Sequence, residues 1–331
     1  MAYGRVDVHT HYLAPALIAA LERRSELPRI SESDQGRMIE YGENNIHPVL
    51  PRMVDLEGQL HDMDEAGIEL AVISVNVPGA DWFPAADGVA VARAVNDELA
   101  ELTAARPDRL AALAILPMQA PDAAAEELRR AVGLGLKGAM VYSNAAGRNL
   151  DEPDLRVVFD AAAELDVPIA IHPTFPLSAP AVDAYALIPT IGFLVDTTTA
   201  TLRLIFDGLY ERHPDFKLVV CHAGSLMPQL AGRIDYEASR FDYGMGKLEA
   251  PPSERIRQVY SDVVCVWPPA LRSAIELLGD DQIMFGSDYP FWDPARSAAT
   301  VAALDLPDAQ RAAIEGGNAR RLYRLGEGPG S

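Results

Sequence analysis

The segment Asp7-Val8-His9-Thr10-His11 places two imidazoles one residue apart. Side chains of an extended segment alternate faces, so His9 and His11 project together while Val6 and Val8 turn the other way. Paired imidazoles on one face are nitrogen donors suited to a divalent transition metal. Alone the pair is a weak sign, because histidines also fall at this spacing by chance. It gains weight from His172, His222 and Asp288, each of which stands at the last residue of an apolar run or just beyond it.

Those runs belong to an alternation that spans the chain. Eight short apolar or β-branched runs, at 5–9, 70–75, 110–116, 138–142, 168–172, 217–222, 258–262 and 282–287, are separated by Ala/Leu/Glu-rich stretches. Helical candidates lie at 56–66, 89–105, 123–132, 155–165, 200–212 and 269–278. Eight strands joined by helical crossovers predict an α/β fold, a (β/α)8 TIM barrel, with residues 1–331 as a single domain. Two segments break the rhythm: a long insert after the first strand, about 14–54, and a Pro-rich apolar stretch at 175–196. Both follow strand ends, on the face where barrels build active sites, and read as lids or substrate walls. A C-terminal helix at 309–323 packs against the barrel, and 326–331 reads as a flexible tail.

In such a barrel the carboxyl ends of the strands form one rim, so His9, His11, His172, His222 and Asp288 meet there despite their distance in sequence. Three imidazoles and one carboxylate suit one Zn2+ first, with Mn2+ or Fe2+ as alternatives if the geometry opens toward more ligands. The fourth strand exits through Val141-Tyr142-Ser143-Asn144, and Lys137 lies at its opposite end, so no lysine is placed to bridge a second metal. The substrate wall is read as Asn76, Trp82, Tyr142, Asn144, Phe175, Phe291 and Trp292, whose character favours a flat ring or conjugated chain. His47, His61 and His213 are read as surface or capping residues. Asp7 lies one layer below the histidine pair, either as a structural hydrogen-bonding group or as support for the metal ligands.

Composition limits the partners. Hydrophobic residues form 49% of the 331 and charged residues 23%, enough for a sizeable core. The balance of 28 Lys plus Arg against 48 Asp plus Glu gives a net charge of −20, which disfavours nucleic acid and anionic membranes. An anionic substrate then needs its own arginine in the site. Cys221 and Cys265 sit in apolar runs and read as packing rather than a disulfide. With no leader-like N-terminus and no long apolar run, the expected location is cytoplasmic.

Landmarks recur through nearly the whole chain: Asp7-Val8-His9-Thr10-His11, Asp62-Met63-Asp64-Glu65-Ala66-Gly67-Ile68, Leu116-Pro117-Met118-Gln119, Ile171-His172-Pro173, Cys221-His222-Ala223-Gly224, Gly232-Arg233-Ile234 and Phe285-Gly286-Ser287-Asp288-Tyr289-Pro290-Phe291. In that order they resemble the amidohydrolase-related decarboxylases and hydrolases typified by aminocarboxymuconate semialdehyde decarboxylase. The resemblance implies that His9, His11, His172 and Asp288 are the metal ligands, and that His222 is an acid/base or electrostatic partner beside the metal-bound water. It also implies that Arg233 binds a substrate carboxylate, reaching into the neighbouring subunit of a homodimer. Without it, Arg233 reads as a surface residue pairing with Asp235 or Glu237. A second family arginine has no clear match, Arg37 and Arg52 both being candidates, and the aromatic that follows the His-Pro pair is displaced to Phe175.

The expected activity is metal-dependent non-oxidative decarboxylation of an aromatic or muconate-like carboxylic acid. A bound ion lowers the pKa of water from about 15.7 toward 7, and His222 with that water moves the proton while Arg233 anchors the carboxylate. The same site serves a hydrolase or hydratase of a lactone, ester or enol, and the ligands do not separate the two. An inactive metal-binding scaffold is the non-enzyme reading, against which stands the presence of all four ligand positions and His222.

Overall fold

All eight apolar runs are parallel strands in the computed structural model, which describes residues 4–34, 36–42, 45–240 and 248–326. The first barrel strand is β1 (Arg5–His11). The insert that follows carries a helix, Pro15–Glu22, and an antiparallel sheet of β2 (Arg29–Ser33), β3 (Gly36–Gly42) and β4 (Asn45–Pro48). The barrel then continues through β5 (Ile68–Ser74), β6 (Leu110–Ala112), β7 (Ala139–Tyr142), β8 (Ile169–His172), β9 (Leu218–Val220), β10 (Tyr260–Asp262) and β11 (Ile283–Met284).

Hydrogen bonding runs in the order β1-β5-β6 and, separately, β7-β8-β9-β10-β11. Parallel bridges join the two arcs, Ala114 with Ala139 on one side and Thr10 with Tyr289 on the other. The N–H of Met140 donates to the Ala114 carbonyl at 3.0 Å and that of His11 to the Tyr289 carbonyl at 2.8 Å, so the ring is closed at both seams. The strands are buried on both faces, as parallel strands sheathed by helices must be.

Several strands are shorter than their apolar runs. Beyond Val220 and Met284 the regular ladder gives way to single hydrogen bonds, and His222 (φ 63°) and Asp288 (φ 61°) adopt left-handed backbone at the mouth. In β1 the pairing slips by one residue between Asp7 and Thr10, which oppose Ala71 and Ile73. This bulge spans Val8 and His9, and their backbone bonds to the opposite neighbour: Val8 N–H to the Phe285 carbonyl at 3.0 Å, and Asp288 N–H to the His9 carbonyl at 2.7 Å.

Crossover helices start where the residues supply a cap. Asp55 accepts from the Gly58 N–H at the start of Leu56–Glu65, and Asp293 accepts from the Ala295 N–H at the start of Pro294–Ala302. The helix expected over 200–212 is two, Phe193–Phe206 and Leu209–Arg212, broken at Gly208 with φ 83°. The helix that carries Arg233, Met227–Arg240, follows β9. The C-terminal helical stretch runs Asp308–Ala312, Ala313–Gly317 and Asn318–Tyr323, and Glu315 pairs with Arg5 at 3.1 Å across the N-terminal end of the barrel. Of the expected flexible tail, 327–331 lie outside the described residues. Among the described residues no helix is long and apolar enough to cross a membrane.

The insert is seated on the rim. His47 donates from Nε2 to the Val77 carbonyl at 2.7 Å, and the Tyr41 ring meets the Trp82 ring edge-on at 5.1 Å. His47 is thus a half-buried tether between the insert and the segment after β5, a correction to its reading as a surface or capping residue. His61 is exposed beside Glu65, and His213 pairs with Asp160 at 2.7 Å.

Candidate metal centre

β1 and β8, with the turn after β11, converge on one buried point. Donor atoms of His9, His11, His172 and Asp288 all lie within 4.8 Å of one another. The rings of His9 and His11 are 5.1 Å apart, His9 and His172 5.1 Å, and His11 and His172 4.7 Å, nearly perpendicular in each case. Asp288 Oδ1 stands 3.2 Å from His9 Nε2 and 3.1 Å from His11 Nε2.

Each ring is oriented from behind. His9 Nδ1 meets Asp262 Oδ2 at 2.8 Å, His11 Nδ1 meets Ser74 Oγ at 3.3 Å, and His172 Nδ1 donates to the Pro173 carbonyl at 2.8 Å. Ser74 Oγ gives its own proton to the Thr10 carbonyl, so it accepts from His11. With Nδ1 protonated on all three rings, Nε2 is the lone-pair nitrogen, the arrangement typical of imidazole ligands. His9 Nε2 is buried without a hydrogen-bond partner. An orphaned buried nitrogen is costly unless something fills the gap, and three nitrogens and a carboxylate oxygen are the donor set a divalent ion takes. The residues present therefore fit one divalent metal.

Electrostatics reinforce this. Burial raises the Asp288 carboxyl, but the histidines gathered around it outweigh burial and hold the group well below the usual carboxylate range. Burial lowers His9, but its anionic neighbours outweigh that and raise it well above the usual histidine value, a positive charge whose place beside Asp288 a divalent ion would take. Burial, then the neighbouring rings of His11 and His9, push His172 well below the usual histidine value, which keeps it a neutral donor. Burial lowers His11 as well.

His222 joins from the turn after β9. Its ring lies 5.3 Å from that of His9 and 6.1 Å from that of His172, and its Nε2 is 3.5 Å from Asp288 Oδ2. Nδ1 is buried without a partner. Left-handed backbone at His222, Ala223 and Ser225 (φ 63°, 52° and 55°) costs of the order of 1–3 kcal/mol per residue, strain that persists where surroundings impose it.

The remaining sequence candidates divide. Tyr142 is buried, its ring 6.4 Å from His172, but its hydroxyl is spent on the Val75 carbonyl at 2.9 Å. Phe291 lies 5.9 Å from the His11 ring and is 42% exposed; Trp292 beside it is 38% exposed. Asn76 is buried and Phe175 half-buried. Asn144 acts as a brace rather than a free wall residue: its amide donates to the Phe175 carbonyl and to Asp196, each at 3.0 Å. Asp196 also accepts from Ser143 Oγ at 2.5 Å and from the Leu177 N–H at 3.0 Å, tying the 175–196 segment to the end of β7.

The arginines are not in the site of their own chain as free groups. The Arg233 side chain is 76% exposed, with Glu237 at 4.0 Å. Arg37 pairs with Glu22. Arg52 binds Asp62 at 2.8 Å and Asp55 at 2.6 Å, and Asp62 in turn accepts from the Tyr289 hydroxyl at 2.5 Å, next to Asp288. Neither Arg37 nor Arg52 is therefore a free second anchor for an anion, because each is already matched to a carboxylate. Asp7 accepts from Ser287 Oγ at 2.5 Å, from Ser287 N–H at 3.1 Å and from His9 N–H at 3.0 Å, locking the β1 bulge to the end of β11. Both cysteines are free, Cys221 buried behind His9 and Cys265 half-buried.

Asp262 is the residue sequence reasoning passed over. It terminates β10 and is 1% exposed, so the same strand-end criterion that selected His172 and His222 would have found it.

A closed (β/α)8 barrel with three histidines and an aspartate around one point at its carboxyl mouth defines a metal-dependent barrel enzyme. The chain belongs to the amidohydrolase family, whose model matches residues 6–325. It is 33% identical to a gamma-resorcylate decarboxylase of Rhodococcus jostii (strain RHA1), over 83% of this chain and 89% of the relative. It is 30% identical to a 2-amino-3-carboxymuconate-6-semialdehyde decarboxylase of Dictyostelium discoideum, over 72% of this chain and 67% of the relative. The crystal structure of a dihydroxybenzoic acid decarboxylase from Polaromonas sp. JS666, with bound manganese and the inhibitor 2-nitroresorcinol, matches with a TM-score of 0.82 at 27% identity, covering 98% of this chain and 97% of that one.

Proposed function

We propose that this chain is a metal-dependent, non-oxidative decarboxylase of an aromatic or muconate-like carboxylic acid. The observation that carries the reading is His222 Nε2 at 3.5 Å from Asp288 Oδ2, a proton-carrying group set directly against the three-histidine, one-aspartate cluster. The decarboxylase names of its relatives favour carbon–carbon cleavage over hydrolysis of a lactone, ester or enol.

His9, His11, His172 and Asp288 would hold a divalent ion, which would supply positive charge to offset negative charge on an anionic or phenolic substrate. His222 gives its proton to the ring or chain carbon that bears the carboxylate. The bond to the carboxylate then breaks, its electron pair restores the conjugated system, CO2 leaves, and solvent reprotonates the imidazole. Asp288 Oδ2 holds His222 oriented for this. The Phe291 ring lies beside His11 and the Tyr142 ring beside His172, aromatic surroundings suited to a flat substrate. We assign zinc or manganese to the centre: the donor set accepts both, and the Polaromonas relative was solved with manganese.

We also read the protein as a homodimer in which Arg233 crosses to the partner's site and supplies the local positive charge that a chain of net charge −20 otherwise lacks. Its exposure, and that of Tyr236 (58%) on the same helix, support this reading.

The test is CO2 release from a panel of hydroxybenzoic, aminobenzoic and muconate-type acids by protein reconstituted with Mn2+ or Zn2+, with His222→Asn as control. Release from at least one acid, lost in the variant, is expected. Silence across the panel with stoichiometric metal bound, together with turnover of a lactone, ester or enol, would replace the decarboxylase by a hydrolase or hydratase.

A further inference from the structure

Asp262 holds two parts of the site at once. One carboxylate oxygen, Oδ2, meets His9 Nδ1 at 2.8 Å. The other, Oδ1, accepts from the backbone N–H groups of His222 at 2.9 Å, Ala223 at 3.3 Å and Val264 at 2.9 Å. The first contact fixes the tautomer of a candidate metal ligand. The second pins the left-handed turn that aims the His222 imidazole, and Ser261 Oγ, accepting from Gly224 N–H at 2.6 Å, continues the same clamp. Gly286 makes the approach possible: a Cβ there would lie 2.8 Å from Asp262 Cβ and 3.0 Å from His9 Cβ, closer than side chains pack.

We propose that Asp262 is the positioning residue that couples metal binding to proton transfer, by setting the His9 tautomer through one oxygen and the His222 backbone through the other. The inference rests on the metal centre of the proposed function and is independent of which acid is the substrate.

Only a carboxylate can do both, because both of its oxygens accept. In Asp262→Asn the amide has one oxygen and one NH2. Three backbone N–H donors face the Oδ1 position and a single ring nitrogen the other, so the amide oxygen goes to the backbone and the NH2 turns to His9. It then donates to Nδ1, which forces the proton onto Nε2, the atom that must face the metal with a lone pair. The turn survives and the ligand is lost. Loss of such a partner to a ligating histidine costs roughly 10–100-fold in metal affinity.

The experiment measures Mn2+ affinity of Asp262→Asn by chelator competition without substrate, beside the melting temperature of the metal-free protein. Expected for Asp262→Asn are a 10–100-fold weaker site (about the range above), metal-free melting close to wild type, and a kcat that recovers as Mn2+ saturates, whereas Asp262→Ala, which releases the His222 turn too, keeps kcat below wild type at saturating Mn2+ with KM little changed. Wild-type Mn2+ affinity overturns the proposal. So does weakened affinity of Asp262→Asn accompanied by an equal loss of metal-free stability, or full recovery of kcat by Asp262→Ala at saturating metal, either of which would make Asp262 a fold residue only. If the variant does not fold, proton NMR of the Zn2+-loaded wild type decides. A downfield His9 Nδ1–H protected from solvent exchange supports the clamp, and a rapidly exchanging one overturns it. None of the binding and NMR readouts uses turnover, so failure of the decarboxylase reading leaves this test intact.

Discussion

The two oxygens of Asp288 face different partners: Oδ1 lies 3.2 Å from His9 Nε2 and 3.1 Å from His11 Nε2, while Oδ2 lies 3.5 Å from His222 Nε2. One carboxylate thus belongs to the candidate ligand set and also contacts His222, the proposed proton-transfer group. Its left-handed backbone, tied through its N–H to the His9 carbonyl at 2.7 Å, makes both orientations possible from the end of one short strand.

Replacing the imidazole without disturbing the carboxylate separates the two roles. His222→Asn should lower kcat by about 10^2- to 10^4-fold while metal content, measured by elemental analysis, stays at the wild-type level. Full activity in the variant would remove His222 from proton transfer.

Replacing the carboxylate should abolish both. Asp288→Asn removes the charged donor and is expected to lose metal and turnover together, as is prolonged dialysis of the wild type against a chelator. Re-addition of Mn2+ or Zn2+ should restore the dialysed wild type and not the variant. Activity persisting in fully metal-free protein would contradict the centre as drawn.

Asp81 sets a pH dependence of stability away from the metal centre. It is buried in the short helix Ala80–Trp82, with neither oxygen in a completed hydrogen bond, although the N–H groups of Asp81 and Ala146 lie near. Burial pushes its carboxyl up from 3.8 to about 7. The folded state therefore holds this proton where the unfolded chain has lost it, so its contribution is full below about pH 4 and is lost as pH rises to about 7, at about 1.4 kcal/mol per unit. Asp81→Asn removes this titration. Urea unfolding should show the variant gaining on wild type by about 2–3 kcal/mol between pH 5 and pH 8; a constant difference would show that Asp81 is ionised in the fold at both pH values.

Arg233→Met tests the substrate anchor and the dimer together. With its side chain 76% exposed and Glu237 at 4.0 Å, the residue contributes little to stability, so the melting temperature should be unchanged. Loss of a charge-assisted carboxylate contact should lower kcat/KM for the acid by roughly ten- to a hundredfold, about 1.5–3 kcal/mol. Unchanged kcat/KM in a protein shown to be dimeric by light scattering would leave Arg233 a surface residue.

The sequence by itself determined the eight strands, the two rhythm-breaking segments and the strand-end location of His9, His11, His172, His222 and Asp288. These are local properties: β-branched runs form strands wherever both faces are covered, and a barrel's topology delivers strand ends to one rim. It did not disclose the bulge at Val8 and His9, the left-handed turns at His222 and Asp288, or that Asp262, itself legible as a strand end, would stand behind His9 and His222 together. Those depend on which backbone groups meet across β1, β9, β10 and β11, and nothing in the spacing of residues along the chain records such contacts. The same holds for Arg37, Arg52, Asn144 and His47. His47 read as a surface or capping residue, Asn144 as substrate wall and Arg37 and Arg52 as candidate anchors, and the fold instead brings Glu22, Asp62, Asp196 or the Val77 carbonyl within hydrogen-bonding reach. Burial then made those pairings binding, because a polar group taken out of water must find a partner.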